Sequence, residues 1–447
     1  MLKYHIKPEK TYVFPAEVSV VHYLDSILVI APDTANWIVL NNDKCLEILE
    51  SFRQGKTVKE ISSEFRDNLS DVKTVVTQLE AKKFCTKVVS KVTDAPRSLH
   101  LYMTNRCNLH CPHCYMFSGA KEDKELSTNE IVRLFHDYKI FGGKNVTLSG
   151  GEPTLRDDFD TLVREAYDVG LKVRVLTNGS LLTAARVAAV TPYLDSIQIS
   201  IDGFSEESNS IIRGTGHFDK AMNAVTSFVN GGVNTSVAIN PSLDLLRTHL
   251  NEYSLFAENL VRKIPNKNFV VKFSENLLKG RDICPSEQGN DEYYRLIKAL
   301  RRNLNGSKFE IMSFVHSLNG NTIMDNCMFG VFAVSSNGDV FLCARTNDLK
   351  PVANIRKQSF SEIIRLSDMA VKASLIMNLR PCNTCELRYI CGGGCRIDEF
   401  RSLVCRASFD NIDYDAIPPR QCRQEYKNTF YRLMIESNPY LYSEVIE

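Results

Sequence analysis

The sequence lacks any strong charge imbalance, any long apolar run and any apolar segment near its start. Its 54 lysines and arginines against 53 aspartates and glutamates give a net charge of +1, so no general attraction to nucleic acid or an anionic membrane follows. The strongest apolar segments, such as Ser26–Ala31, fall far short of the ~20 residues of a membrane helix. The N-terminus has no apolar region typical of a signal peptide. We therefore expect a cytoplasmic protein without nucleic-acid or membrane partners.

Cysteine is the residue that the sequence has in excess, with 14 in 447 residues. Because the cytosol keeps thiols reduced, these cysteines indicate metal binding or catalysis rather than disulfides. Most of them fall into two groups, one at residues 107–114 and one at residues 327–422. Three others stand alone and are expected to be buried apolar residues: Cys45, Cys85 and Cys284.

Residues 1 to about 90 are predicted to form a separate unit. Short β-branched or aromatic runs at 18–22, 27–31 and 37–40 predict a three-stranded meander. Helical patterns follow at 44–52, 57–65 and 70–82, where Thr57 and Glu60 form a capping box. Three strands followed by three helices suit a winged-helix fold, and residues 91–97 are predicted to be a linker.

From residue 98 onward, strands alternate with helices. Strands are predicted near residues 99–103, 146–148, 173–176, 197–201 and 237–239, with helices between them. Repeated β/α units of this size indicate an α/β fold with a parallel sheet or barrel. In such folds the chemistry lies at the carboxyl ends of the strands.

The first cysteine group follows the first of these strands, as Cys107-x3-Cys111-x2-Cys114. Three thiolates on one loop can bind three irons of a [4Fe–4S] cluster, which normally takes four cysteines. The fourth iron would then be open to the amine and carboxylate of a small molecule. Taken alone, the motif also fits a structural zinc site that borrows a ligand from His110 or His113.

A second motif, Gly150-Gly151-Glu152, follows the second predicted strand. Glycines at this position allow the backbone to approach a ligand closely, and Glu152 offers a carboxylate to an ammonium group. Alone, this motif is also ordinary turn chemistry. Its place one β/α unit after the cysteine loop puts both motifs at the same edge of the sheet.

With both motifs in place, the sequence resembles the radical S-adenosylmethionine enzymes, whose CxxxCxxC and GGE signatures match Cys107, Cys111, Cys114 and Gly150, Gly151, Glu152. The resemblance implies a partial (β/α)6 barrel over residues 98–315. It implies that the open iron binds S-adenosylmethionine. It also implies reductive cleavage to a 5′-deoxyadenosyl radical, which abstracts a hydrogen atom from the substrate.

The same resemblance implies further contacts to S-adenosylmethionine. The backbone of Tyr115 would approach the adenine, and Ser200 and Asp202 would line the ribose side. Asn178 and Arg213 are further candidates. Each has a purely structural alternative, because Ser and Asn at strand ends are often turn or cap residues and Arg213 also suits a surface ion pair.

Residues 316–447 resemble the SPASM extension of this family, which binds two auxiliary [4Fe–4S] clusters. One cluster would be bound by Cys382, Cys385, Cys391 and Cys422. The other would be bound by Cys327, Cys343 and Cys395, with Cys405, a substrate thiol or nothing as the fourth ligand. A four-cysteine zinc site is the alternative for the CxxC and CxxxC portion alone.

The N-terminal unit resembles the peptide-recognition modules of ribosomal-peptide maturases, which are related to the small chaperone of pyrroloquinoline-quinone synthesis. The resemblance implies that residues 1–90 recruit the leader of a precursor peptide. We expect the leader to add a strand to the small sheet, with the helix at 70–82 as the other wall of the groove. A DNA-binding winged helix is the alternative, which the mixed charges of that helix disfavour.

Together these features predict a radical S-adenosylmethionine maturase that installs a thioether or carbon–carbon cross-link in a ribosomal precursor peptide. The cofactors would be S-adenosylmethionine and three [4Fe–4S] clusters. The partners would be the precursor peptide and a reductant such as flavodoxin or ferredoxin. Two alternatives remain at this point: an anaerobic sulfatase-maturing enzyme that forms formylglycine, and a non-catalytic redox-sensing regulator with a winged helix and iron–sulfur clusters.

Overall fold

A computed structural model describes residues 7–91, 98–120, 124–318, 322–323, 325, 327, 329–346, 349–396 and 422–440. Cys405, the predicted alternative ligand, lies outside the described residues. Among the described helices, none combines the length and the apolar character needed to cross a membrane.

The N-terminal unit has the predicted order of three strands and three helices. The strands pair antiparallel in the order β1-β2-β3, and the predicted capping box of Thr57 and Glu60 is present at the start of the second helix. One face of the sheet packs on the helices around Phe52 and Leu79. The elements are β1 Ser19–Tyr23, β2 Ser26–Ala31, β3 Asn36–Leu40, α1 Asp43–Arg53, α2 Val58–Glu64 and α3 Leu69–Ala81.

A short strand, β4 (Ser90–Lys91), reaches the first residue of the predicted linker and pairs in parallel with β11 (Thr322–Ile323). The rest of that linker, residues 92–97, lies outside the described residues. The barrel then follows as six parallel strands with helices between them, in the order β10-β9-β8-β7-β6-β5. Its strands are β5 Ser98–Tyr102, β6 Asn145–Ser149, β7 Lys172–Thr177, β8 Ser196–Ser200, β9 Asn234–Ile239 and β10 Phe269–Phe273. Its helices are α4 Thr128–Ile140, α5 Phe159–Asp168, α6 Ala184–Val190, α7 Glu206–Arg213, α8 Phe218–Asn230, α9 Leu243–Lys263, α10 Glu287–Asn305 and α11 Phe309–Leu318.

Successive side chains of each barrel strand face opposite sides of the sheet. One set, which includes Leu99, Val146 and Val173, packs with the surrounding helices in the largest core. The alternate set, aligned across strands as His100, Thr147 and Arg174, faces the barrel interior. All six strands run in the same direction, so their carboxyl ends and the loops that follow them meet at one end of the barrel.

The C-terminal region continues the barrel sheet instead of forming a detached layer. Within the described residues, β12 pairs in parallel with β5, and β13 and β14 follow antiparallel at the edge. This pairing brings the second cysteine group next to the strand that carries the first. The elements are β12 Phe332–Val334, β13 Asp339–Phe341, β14 Ala353–Asn354, α12 Phe360–Ala373, α13 Arg388–Cys391 and α14 Gln424–Ser437.

The second face of the N-terminal sheet packs against this C-terminal region. Trp37 donates its indole N–H to the Met434 carbonyl at 3.1 Å and packs on Phe314. The Arg388 side chain, 4% exposed, forms ion pairs with Glu17 at 2.6 Å and with Asp33 at 2.7 Å. The N-terminal unit therefore shares a core with the C-terminal region, although the sequence suggested a tethered module.

Candidate active site at the carboxyl ends of the barrel strands

The first cysteine group lies on the loop that leaves β5. The loop is held by backbone hydrogen bonds from Cys107 N–H to the Gly119 carbonyl and from Cys114 N–H to the Cys111 carbonyl, both 3.2 Å. Burial raises the pKa of Cys107 to about 11, and the nearby Glu152, Cys111 and Cys114 add to this shift. Such thiols deprotonate readily only with a cationic partner, so a donor set of three sulfurs fits an iron–sulfur cluster.

The histidines proposed for the zinc alternative are placed differently from each other. His110 is exposed, whereas His113 donates from Nε2 to the Asp202 carboxylate at 3.2 Å. Among the described residues, no group of three or more His, Cys, Asp or Glu side chains is arranged to hold a single metal ion.

The two glycines of the second motif bring its loop against the cysteine loop. A Cβ on Gly150 would lie 2.4 Å from the Thr104 carbonyl oxygen, and one on Gly151 would lie 2.2 Å from that of Arg106. Gly151 and Glu152 donate their N–H groups to these same carbonyls at 2.9 and 2.8 Å. The glycines therefore permit contact between two loops of the chain. The sequence predicted that they allow the backbone to approach a ligand.

Glu152 is fully buried and its carboxylate is held by four hydrogen bonds. Oε1 accepts from Thr154 N–H and hydroxyl at 3.1 and 2.5 Å and from the Thr177 hydroxyl at 2.7 Å. Oε2 accepts from Asn178 N–H at 2.7 Å. Burial nevertheless raises the pKa of this carboxyl. The two threonines fix the carboxylate at the ends of β6 and β7, and sequence reasoning did not identify them.

Asp202 and Arg213 form a buried ion pair beside the cysteine loop. Arg213 Nε lies 2.6 Å from Asp202 Oδ2, and Asn240 N–H donates to Oδ1 at 2.9 Å. Burial alone would raise the pKa of Asp202, but the charges of Arg213 and His113 hold it well below its usual range. The Arg213 charge also opposes the rise that burial causes in the pKa of Cys111. The alternative that Arg213 forms a surface ion pair is wrong, because the pair is buried.

Asn178 links the cysteine loop to the end of β7. Its Nδ2 donates to the Asn108 side chain at 2.9 Å, and its Oδ1 accepts from the Ser180 hydroxyl at 2.7 Å. Its carbonyl accepts from His217 Nε2 at 2.8 Å. Ser200 ends β8 at the same end of the barrel and is half-buried. The structure thus brings these predicted residues together, and contact with a cofactor remains a prediction for each of them.

A segment after β10 closes over the cysteine loop. Arg281 donates to the carbonyls of Cys111 and Ser118. A Cβ on Gly280 would lie 2.6 Å from the His113 carbonyl carbon. These contacts join residues about 170 positions apart in the sequence, so the only local signal was a glycine beside an arginine.

The second cysteine group lies in two places. Cys327, Cys343 and Cys395 surround Phe329 and Leu342 in one small core, and the Cys327 and Cys395 thiols contact each other. Cys385 and Cys391 lie in the core shared with the N-terminal unit, where the Cys391 thiol is 3.8 Å from the Tyr426 hydroxyl. This division matches the two predicted ligand sets, and exposed Cys422 lies two residues before α14.

Comparison with known proteins gives two family matches. The radical SAM superfamily model matches residues 101–242, and the SPASM iron-sulfur cluster-binding domain model matches residues 326–386. The chain is 30% identical over 321 residues to mycofactocin maturase MftC of Mycolicibacterium smegmatis, covering 69% of this chain and 80% of that protein. It is 27% identical over 330 residues to AdoMet-dependent heme synthase of Methanosarcina barkeri, covering 68% and 92%.

Among solved structures, native anSMEcpe with bound AdoMet aligns with a TM-score of 0.55 at 18% identity, covering 77% of this chain and 99% of that chain. This likeness supports the partial barrel as the fold. The predicted cofactor classes are confirmed by the family matches: S-adenosylmethionine, a catalytic [4Fe–4S] cluster and auxiliary iron–sulfur clusters. Catalysis by this family excludes the non-catalytic regulator. The chain belongs to the radical SAM superfamily and is an enzyme with a SPASM domain.

Proposed function

We propose that the chain is a maturase that installs a thioether or carbon–carbon cross-link in a ribosomally synthesised peptide. The observation that carries this proposal is the contact between the cysteine loop after β5 and the loop that carries Cys343, where the Thr346 hydroxyl donates to the Met116 sulfur at 3.6 Å. Cys343 lies just after β13, whose neighbour β12 pairs with β5, and Cys327 and Cys395 share its small core. The 30% identity to a protein named as a maturase also supports it.

The chain's own residues would position the reactants. When bound, S-adenosylmethionine and the reduced cluster supply the radical that removes a hydrogen atom from the substrate. The buried Asp202–Arg213 pair and the Glu152 carboxylate fix charge at the strand ends, and Arg281 closes the cysteine loop against the segment after β10. These contacts leave little mobile backbone beside the site and help exclude water from it.

Cross-linking removes two hydrogens from the peptide. One leaves as a hydrogen atom to the radical, and the other leaves as a proton and an electron, so an electron must leave the site. The residue set at Cys327, Cys343 and Cys395 would hold the group that accepts this electron. Its Cys343 is close enough to Tyr115 of the cysteine loop to affect the pKa of that phenol, together with burial and the Tyr102 hydroxyl. A sulfatase-maturing oxidation would need an acceptor of the same kind, so the product distinguishes the two functions.

We also propose that the N-terminal unit recruits the leader by strand addition at β1. In the sheet order β1-β2-β3 the two outer strands are β1 and β3. Every residue of β3 is buried, and its Val39 N–H is taken by the Gln78 side chain of α3 at 3.3 Å. Because α3 contacts β3, it would not form the second wall of a groove at β1. The expectation that α3 walls the leader groove applies to a leader at β3 and stays a prediction.

Among the described residues, no strand pairs with the outer edge of β1, whose residues alternate between half-buried and exposed. Val20 is 38% exposed at its centre. An extended peptide can satisfy the outward backbone groups of such a strand, and alternate side chains can pack on Val20 and its neighbours. Binding there would raise the effective concentration of the core peptide at the barrel.

Hydrogen exchange tests this arrangement on the intact protein. Truncation near residue 95 is a poor test, because it would expose the apolar residues that pack on Trp37 and remove both partners of Arg388. The leader of a precursor peptide encoded beside this gene should protect the amides of residues 19–23. Protection at residues 36–40 instead would place the peptide at β3. Absence of protection together with specific duplex-DNA binding would contradict peptide recruitment.

A further inference from the structure

The inner wall of the barrel carries positive charge and no acidic residue. The six strands β5 to β10 contain no aspartate or glutamate. Register pairs place Lys172 and Arg174 of β7 and Lys272 of β10 on the set of positions that faces the interior. The remaining inward positions are neutral groups such as Thr147, and most residues of the opposite face belong to the apolar core.

Arg174 and Lys272 both belong to this inward set, and the charge of Arg174 acts on Lys272. Arg174 Nη2 donates to Gln198 Oε1 at 3.0 Å. Within the part of the chain that the structure describes, neither cation lies within 4.0 Å of a carboxylate. Partial desolvation of its ammonium lowers the pKa of Lys272, although the side chain is exposed, and the charge of Arg174 lowers the pKa further. The nearest acidic influence on Arg174 is Asp195, which is exposed just before β8.

His100 lies on the inward set of β5, the barrel strand farthest from β10 in the sheet order. Its Nε2 is inaccessible to solvent and lacks a hydrogen-bond partner among the described residues. Its ring lies 4.6 Å from the ring of Tyr102. Burial, with the charge of Arg174, lowers the pKa of His100 to about 4, so the imidazole is neutral at pH 7. A neutral imidazole offers one N–H donor and one acceptor.

The wall is open to a ligand on the β10 side. Val270, the inward-facing residue two before Lys272, is 50% exposed, and Lys272 itself is exposed. Arg174 precedes Asn178 by four residues, which is about 13 Å of strand. A group bound by Arg174 would therefore lie below the strand ends that carry the cysteine loop and Glu152.

We propose that Arg174 and Lys272 bind a carboxylate of the peptide substrate, supplied either by an aspartate or glutamate side chain or by the C-terminus. This inference rests on the proposed function, because it requires a peptide in the barrel. Two cations that share one carboxylate form charge-assisted hydrogen bonds, which fix its position and orientation. The bound residue would thereby be held below the site where the hydrogen atom is removed.

Binding of three small probes to the unreduced holoprotein tests the proposal, measured by ligand-observed NMR titration. N-acetylglutamate α-amide carries a side-chain carboxylate, N-acetylalanine carries a terminal carboxylate, and N-acetylglutamine α-amide is the neutral match. We expect at least one anionic probe to bind about tenfold more tightly than the neutral one. Arg174→Gln and Lys272→Gln should each remove that preference. Arg174→Lys should retain most of the preference for the anionic probe. Lys220→Gln changes an exposed residue of α8 and should leave the preference unchanged.

The anionic probe that binds identifies the source of the carboxylate. Equal binding of the neutral probe, or an unchanged preference in both Gln variants, would overturn the proposal. So would loss of S-adenosylmethionine binding in those variants, because the cations would then serve the cofactor. The titration involves no turnover, so its failure leaves the test of peptide modification independent.

Discussion

The Tyr115 hydroxyl lies 3.2 Å from the Tyr102 hydroxyl, which in turn donates to the Ala344 carbonyl. Tyr115 follows Cys114 of the first cysteine loop, and Ala344 follows Cys343 of the second group. Two buried phenols therefore join the two cysteine-bearing loops by a continuous hydrogen-bonded chain. Such a chain fixes the relative position of the loops, because a buried polar network is stable only when each member has its partner.

Replacing Tyr102 with Phe should destabilise the protein more than replacing Tyr115 with Phe. The first change removes two hydrogen bonds, those of Tyr102 with the Ala344 carbonyl and with the Tyr115 hydroxyl, which costs about 1–3 kcal/mol. The second leaves the bond between Tyr102 and Ala344 intact. Anaerobic denaturant unfolding of the holoproteins measures both, and equal effects would show that the chain of hydroxyls does not connect the loops.

Arg213→Met should lower the free energy of unfolding by about 3–5 kcal/mol, because it removes the guanidinium from the buried Asp202 carboxylate and leaves only His113 and Asn240 N–H beside it. Adding Asp202→Asn to this variant should recover part of the loss, since no charge then remains unpaired. The free energies of unfolding of the original protein, the two single variants and the double variant are measured by urea unfolding under argon. Purely additive effects of the two substitutions would contradict a coupled ion pair.

Cys391→Ala should reduce iron by one cluster and leave the others in place, because Cys391 lies apart from both other cysteine groups. Cys284→Ala is the matched control. The expectation that Cys284 is buried is wrong, since it is exposed, whereas Cys45 is buried as expected. Iron analysis with Mössbauer spectroscopy reads both variants. If Cys422→Ala keeps the full iron content, Cys422 is not a ligand and Cys405 becomes the candidate.

Stability should fall as the pH is lowered from 7.5 to 5.5, in part through His217. Burial and the Arg213 charge lower the pKa of His217 to about 4, against 6.5 in the unfolded chain. Between these values the unfolded state binds more protons, so stability is full above pH 6.5 and declines below it, by about 1 kcal/mol at pH 5.5. His217→Gln can keep the hydrogen bonds of this side chain with the Asn178 carbonyl and with Asn209 Nδ2, so it should flatten this dependence. An unchanged slope would show that His217 does not titrate on unfolding.

Local patterns in the sequence predicted those parts of the site that each lie at the end of a single strand. The spacing of Cys107, Cys111 and Cys114 and the position of Glu152 placed both motifs at the same end of the barrel, where the structure has them. The sequence did not reveal β10, because one of the exposed positions in its FVVKF run is the apolar Val270, which hides the alternation.

Contacts between distant segments could not be predicted. Arg281 reaches the cysteine loop across about 170 residues, and α3 covers β3 only because of how the N-terminal helices pack. The contacts of Gly150 and Gly151 with the cysteine loop were not foreseen either, since a glycine pattern does not say which part of the chain approaches the backbone, and their contact with a ligand stays a prediction. These contacts depend on how distant segments pack in the folded chain.

The most direct test of the account is mass spectrometry of the precursor peptide encoded beside this gene, after anaerobic incubation with the reduced protein and S-adenosylmethionine. We predict formation of 5′-deoxyadenosine together with a peptide that has lost two hydrogen atoms and contains an internal cross-link. Both should disappear when Cys107, Cys111 and Cys114 are replaced together by Ala. Formylglycine in a sulfatase-derived peptide, with the precursor left unmodified, would contradict the account.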